Sequence, residues 1–97
     1  MAVMDYGGIV TAAQGTFVVN GTAEVVMNAA AIYVLEDTVF ARIEVNNATG
    51  TDAKADYIQT VLTAVKAGAL LTPISEDADI RFSAVTLTSG SVVLILG

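Results

Sequence analysis

Short apolar runs separated by Gly, Asn and acidic residues follow one another along the whole chain. They are rich in Val, Ile and Thr, which favours β-strands over helices. Residues 38–45 alternate between two faces, as a strand with one solvated side does. The first face would carry Val39, Ala41, Ile43 and Val45, and the second would carry Thr38, Phe40, Arg42 and Glu44.

The spacing of the turn signals, about every eight to twelve residues, is typical of an all-β domain. We predict a single-domain antiparallel β-sandwich or jelly-roll-like barrel of roughly seven or eight short strands, formed by residues 14–97. Asn20-Gly21 is a strong signal for a hairpin between the first two strands. Residues 57–65 fit either a strand or a helix, and we favour a strand.

The last apolar run, residues 92–96, does not alternate. A continuous apolar strand is covered on both faces, and the core of one small domain covers only one. Val93 and Leu94 point to opposite faces, so we expect one to lie in the core and the other in a subunit interface. Both are candidate partner-binding residues, and a symmetry mate is the expected cover.

Residues 1–13 are predicted to form an N-terminal arm. Gly7-Gly8 provides a flexible point, and the apolar residues around it have no clear period. We expect the arm to pack on a neighbouring subunit or on another protein of its assembly rather than on its own core. Its candidate contact residues are Val3, Met4, Tyr6 and Ile9.

Composition also favours association. Hydrophobic residues make up 55% of the chain and charged residues 14%, against about 25% charged in an ordinary domain. A lone domain of 97 residues hides that much apolar surface with difficulty. No stretch is long and apolar enough for a membrane-spanning helix. The net charge of −6 disfavours nucleic-acid binding, so we expect neither membrane nor nucleic acid as a partner.

The chain contains no His and no Cys, which removes the commonest general base and the usual transition-metal ligands. We expect no enzyme activity, no catalytic or metal site and no cofactor. Glu36-Asp37 is better interpreted as a turn, with Asp37 accepting backbone hydrogen bonds near Thr38. Calcium ligation is an alternative at two places, Glu76, Asp77 and Asp79, or Asn46, Asn47, Thr49 and Asp52, although ordinary turn chemistry explains both.

Three stretches resemble a group of small β-rich accessory proteins of tailed bacteriophages, the head-decoration, cement and head-fibre subunits. The stretches are AIYVLEDTVF at residues 31–40, KAGALLTPI at 66–74 and FSAVTLTSGSVVLIL at 82–96. The resemblance runs from about residue 22 to the end of the chain. It departs from the group at the opening Gly- and aromatic-rich strand, and at Lys66, where a Pro is common.

The resemblance implies a capsid decoration or cement protein that forms homotrimers and binds the major capsid protein or another virion protein. It also implies a place in the virion after assembly in the host cytoplasm. Asp5 stands where a signal peptide needs a basic residue, so we expect no signal peptide. The alternative is a small adhesion or carbohydrate-binding domain, for which Tyr6, Tyr33 and Tyr57 are the candidate stacking residues.

The arm hypothesis predicts that deleting residues 1–8, with a new initiating Met, weakens assembly and leaves the fold intact. Light scattering measures the assembly, and circular dichroism measures the fold. A shortened chain that does not fold would show that the arm belongs to the core.

Overall fold

The computed structural model describes residues 15–74 and 79–97, which form a β-structure with one short helix. We number the elements in chain order. They are β1 (Thr16–Val19), β2 (Val25–Val34), β3 (Val39–Val45), α1 (Lys54–Tyr57), β4 (Leu70–Leu71), β5 (Phe82–Ser89) and β6 (Val92–Leu96).

All strand pairs are antiparallel, and the strands follow the order β1-β6-β2-β5-β3, with β4 also paired to β2. The long strand β2 belongs to both halves of the sheet. Its first part pairs with β5 up to Ala29, and its second part pairs with β6 on one edge and β4 on the other. We call β1, β6, β4 and the second part of β2 the β6 layer, and β3, β5 and the first part of β2 the β5 layer.

The two layers face each other across one core. The β5 layer contributes Phe40, Ile43, Phe82 and Leu87, and the β6 layer contributes Ile32, Val34, Val92 and Leu94, all of them buried. The ring of Tyr57 from α1 meets Phe82 edge-on, with 5.2 Å between the ring centroids. This arrangement is sandwich-like, with a shared strand that passes from one layer to the other.

Register shifts in β2 and β3 change which residues face the core. In β2 the register shifts between Ala29 and Ala31, so Ala29 and Ile32 both point inward. In β3 the register shifts between Phe40 and Arg42, so Phe40 and Ile43 both point inward. Strict alternation through residues 38–45 is therefore wrong, because a bulge adds one residue and reverses the faces beyond it.

A tight corner carries the chain from β5 in one layer to β6 in the other. The buried hydroxyl of Thr38 accepts a hydrogen bond from Ser91 N–H at 3.1 Å and donates one to the Glu36 carbonyl at 2.7 Å. Gly90, with φ +92°, lies directly against Thr38. Backbone bonds from Leu35 N–H to Ser91 C=O and between Thr38 and Val65 complete the corner.

Two local predictions fail. β1 and β2 do not form a hairpin, because β6 lies between them in the sheet. Since β6 is antiparallel to both, β1 and β2 run parallel to each other, and a tight turn cannot join parallel strands. Residues 57–65 contain the end of α1 and turns instead of a strand. Ile58 and Val61 of this segment pack on the core, as the helical spacing favours, while Leu62 is exposed.

The predicted fold class is confirmed, since the chain forms one all-β antiparallel domain. Six strands lie in the described residues, where the sequence predicts seven or eight. The predicted arm, residues 1–13, lies outside the described residues, as do the acidic positions Glu76 and Asp77.

We expect Gly90→Ala to destabilise the protein much more than Gly50→Ala. Both glycines have positive φ, so each alanine variant pays the left-handed backbone cost of about 1–2 kcal/mol. At Gly90 the added Cβ would also lie 2.6 Å from Thr38 Cα and 2.7 Å from Asp37 O, whereas at Gly50 it meets open space. We expect a total loss of about 3–5 kcal/mol for Gly90→Ala in urea unfolding. Equal losses for the two variants would show that the corner relaxes to admit a side chain.

Candidate interaction surface

The outer side of the β6 layer is an uncharged surface built from four strands. Residues directly opposite each other in antiparallel strands share a face. The register therefore places Val18, Val93, Tyr33 and Leu70 side by side in one row across β1, β6, β2 and β4. A second row contains Thr16, Ile95 and Ala31. We call these seven residues the outer apolar face.

Six of the seven residues are hydrophobic, although the face lies on the side of the layer opposite the core. Val18 is 51% exposed, Tyr33, Leu70, Val93 and Ile95 are half-buried, and Ala31 is fully buried. The equivalent side of the β5 layer is different, because it carries Arg42, Glu44 and Thr86 in its rows. Only the β5 layer thus has the polar outer side expected of a solvated sheet.

The structure separates the two C-terminal partner-binding candidates. Leu94 lies in the core with 1% of its surface exposed, so its side chain is not accessible to a partner. Val93 lies at the centre of the outer apolar face, between Val18 and Tyr33. The arm candidates Val3, Met4, Tyr6 and Ile9 lie outside the described residues. Sequence reasoning missed Val18 and Leu70, whose only sequence signal is membership of an apolar run.

The two outermost strands of the sheet present different edges. The free side of β3 is closed by the segment that follows it. Ile43 receives a bond from Ala53 N–H at 2.7 Å and donates one to Asp52 Oδ1 at 3.2 Å, and Lys54 Nζ donates to Ala41 O at 2.9 Å. Farther along, Thr38 and Val65 exchange two backbone hydrogen bonds. No second strand can pair along this side without displacing these contacts.

At the opposite end of the order, β1 has β6 on one side and, within residues 15–74 and 79–97, no strand on the other. Leu96 N–H donates to Gly15 C=O, which makes Thr16–Ile95 a non-hydrogen-bonded pair. The backbone N–H and C=O groups of Thr16 and Val18 therefore point away from β6. Phe17 and Val18 are 40% and 51% exposed beside this edge.

A charged cluster holds the closing segment on β3. Arg42 Nε lies 2.8 Å from Glu44 Oε2, and Lys54 Nζ lies 2.9 Å from Asp52 Oδ2. Gly50 joins the first pair, since its carbonyl accepts from Arg42 Nη2 and its N–H donates to Glu44 Oε1. The four charged groups are used internally, so the cluster is structural rather than a catalytic pair.

These contacts lower the pKa of both carboxylates in the cluster. The hydrogen bond from Arg42, together with Gly50 N–H, lowers the pKa of Glu44. Partial burial works to raise the pKa of Asp52, but hydrogen bonds from the side chain and backbone of Lys54 and from Ile43 N–H outweigh it and lower that pKa. Both carboxylates are therefore stabilised in their charged form.

The other acidic candidates also have structural partners. Asp37 accepts bonds from Ala67 N–H at 3.0 Å and Lys66 Nζ at 3.3 Å, and these lower its pKa. The prediction of partners near Thr38 is wrong for Asp37, because the turn is closed by a segment about thirty residues away. Asn46 bonds Arg81 N–H and the Asp79 carbonyl. Within the described part of the chain, no group of three or more acidic side chains is placed to hold a metal ion.

An open cleft of about 420 Å³ lies beside α1. Its walls include Val45, Ala48, Tyr57 and Ile74, with Asn47, Thr51 and Asp56 at the polar side. Tyr57 Oη accepts a hydrogen bond from Ile74 N–H at 2.9 Å, so this tyrosine is committed to the fold on both its ring and its hydroxyl. Among its described lining residues, Asp56 is the one carboxylate.

A scan against protein-family models found no match to the chain, and searches of curated proteins and of solved structures found none either. None of the helices formed by residues 15–74 and 79–97 is long and apolar enough to cross a membrane.

We expect the protein to lose stability in acid partly through this cluster. Folded pKa values below the ordinary 4.5 of Glu44 and 3.8 of Asp52 mean that the unfolded chain binds more protons. The stabilisation is complete above those ordinary values and is lost as the pH falls through the lower folded ones. Asp52→Asn should cost about 1 kcal/mol at neutral pH and reduce the fall in melting temperature between about pH 5 and pH 2.

The matched control is Asp56→Asn, which changes an exposed aspartate of α1 close by in sequence. We expect its melting temperature to follow that of the unmodified protein at every pH. An acid profile of Asp52→Asn that coincides with the unmodified profile would contradict the role of the cluster.

Proposed function

We propose that the chain is a non-catalytic structural subunit that acts by assembling with copies of itself through the outer apolar face. The observation that carries the proposal is the uncharged row Val18–Val93–Tyr33–Leu70 on the side of the β6 layer away from the core. Burying such a surface contributes about 25 cal/mol per Å² before the costs of association. The charged outer side of the β5 layer offers no comparable gain.

We further propose that the assembly is a homotrimer and that its setting is the surface of a tailed-phage particle, as a decoration or cement protein on the major capsid protein. Support for this setting comes from the resemblance of residues 31–40, 66–74 and 82–96 to accessory virion proteins. A cement protein stabilises a capsid through many weak apolar contacts that are repeated over the lattice. A small subunit with an uncharged face can provide such contacts.

The carbohydrate-binding alternative has less support. Such a site needs exposed aromatic rings with polar neighbours, and Tyr57 is engaged with Phe82 and Ile74. Tyr33 is half-buried in a row of aliphatic residues. Tyr6 lies outside the described residues. A glycan array tests the alternative directly, and sugar-specific binding would favour it.

We expect Val93→Asp to yield a folded protein of lower assembly mass, because it places a charge in the centre of the outer apolar face. Leu94→Asp should unfold the domain, since it buries the same charge in the core at a position 1% exposed. Light scattering at micromolar concentration gives the masses, and circular dichroism gives the fold.

The control is Val26→Asp, the same substitution at a position that is 72% exposed on the β5 layer. It should keep both the fold and the mass of the unmodified protein. An unmodified protein that scatters as a single chain of 10.0 kDa would contradict self-assembly.

A further inference from the structure

We propose that the free edge of β1 pairs with β1 of a second copy, antiparallel and around a two-fold axis, as an interface additional to the outer apolar face. The inference rests on the proposed function only in that both interfaces join copies of this chain. Its starting point is the asymmetry of the two sheet edges. The β3 edge is closed by residues 51–65, and the β1 edge leaves the N–H and C=O groups of Thr16 and Val18 directed outward.

The composition of β1 favours a second copy of the chain as the occupant. The chain carries a net charge of −6, so two copies repel over most contacts between their surfaces. β1 has the sequence Thr-Phe-Val-Val and contains no charged residue, no Pro and no bulge, the devices that usually block an edge. Two β1 strands can therefore meet without placing like charges opposite each other. The outward N–H groups of each strand then donate to the outward C=O groups of the other.

The side chains of β1 fit the same arrangement. Phe17 shares the core-facing side with Leu94, yet it is 40% exposed, and none of the strands within residues 15–74 and 79–97 lies beyond it. A shallow groove of about 180 Å³ runs beside Phe17 and continues to Asn20 and Ala23. A second β1 would cover the ring of Phe17 and extend the core side of the β6 layer into its neighbour.

The register follows from which backbone groups are free. The backbone groups of Thr16 and Val18 are directed away from β6. A two-fold register that uses both residues in both copies pairs Thr16 with Val18 of the second copy and the reverse. Phe17 then lies on the axis opposite Phe17 of the second copy. This non-hydrogen-bonded pair brings the two Cα atoms to about 4.5 Å, a separation that a disulfide accepts.

The first experiment is single-cysteine cross-linking. The chain has no cysteine of its own, so Phe17→Cys introduces one reporter per copy. Under mild oxidation we expect most of this variant to form a disulfide-linked dimer on a non-reducing gel. Val26→Cys is more exposed but lies on the other layer, and it should cross-link only at the rate of random collision. Equal cross-linking of the two variants would overturn the proposal.

The second experiment removes one hydrogen bond from the edge. Thr16→Pro deletes an N–H that makes no bond to β6, and proline is tolerated at the first position of an edge strand. We expect it to halve the assembly mass. Thr16→Ala is the matched control for the side chain, which lies in the outer apolar face, because it keeps the N–H. We expect Thr16→Ala to lower the mass less than Thr16→Pro does, and an equal loss in the two variants would overturn the edge pairing.

The outcomes separate this interface from the proposed function. An unchanged mass for folded Thr16→Pro would overturn the edge pairing, including the case in which another segment of the same chain occupies the edge. The proposed function would still stand if Val93→Asp lowers the mass. If Thr16→Pro does not fold, the cross-linking of Phe17→Cys against Val26→Cys decides alone.

Discussion

One buried hydroxyl closes the corner that joins the two layers of the sheet. The hydroxyl of Thr38 accepts a hydrogen bond from Ser91 N–H and donates one to the carbonyl of Glu36. These bonds lie at the corner where the chain passes from one layer to the other. A buried N–H without a partner is costly, so this contact fixes how the corner is closed. Once the corner is closed, Val92 and Leu94 face the core and Val93 and Ile95 face outward. The alternation of β6 after this corner therefore supplies residues to both the core and the outer apolar face.

The β-bulges explain why the sequence predicts the fold class correctly but not which residues face the core. β-branched runs and turn spacing are local signals, and they correctly indicated an all-β antiparallel domain. The side of the sheet to which a residue points is inferred by counting along the strand, so one extra residue in a bulge reverses the inferred side for every residue beyond it. Phe40 was expected opposite Ile43, and the bulge at Ala41 puts both in the core. Asn20-Gly21 failed for a different reason, because β6 takes the place beside β1 that a hairpin would have given to β2.

The candidate surface was only partly predictable because its members come from four separate segments. The unbroken apolar run of β6 correctly indicated that Val93 and Leu94 face opposite ways. Nothing local marks Val18 or Leu70 as neighbours of Val93, since only the strand order brings their rows together. The sequence likewise does not predict that the edge of β3 is closed. It depends on Asp52 and Lys54, which read in the sequence as ordinary polar loop residues.

The strand order also has a consequence for how the chain is made. β2 ends at Val34, and its two long partners, β5 and β6, begin only at Phe82 and Val92. During synthesis this strand, the longest in the sheet, leaves the ribosome well before either partner exists. Contacts between such distant segments form slowly, on a scale of about milliseconds to seconds for small β-proteins. Until then Ile32 and Val34 lack their native neighbours in β6, and β2 is the strand most exposed to non-native pairing.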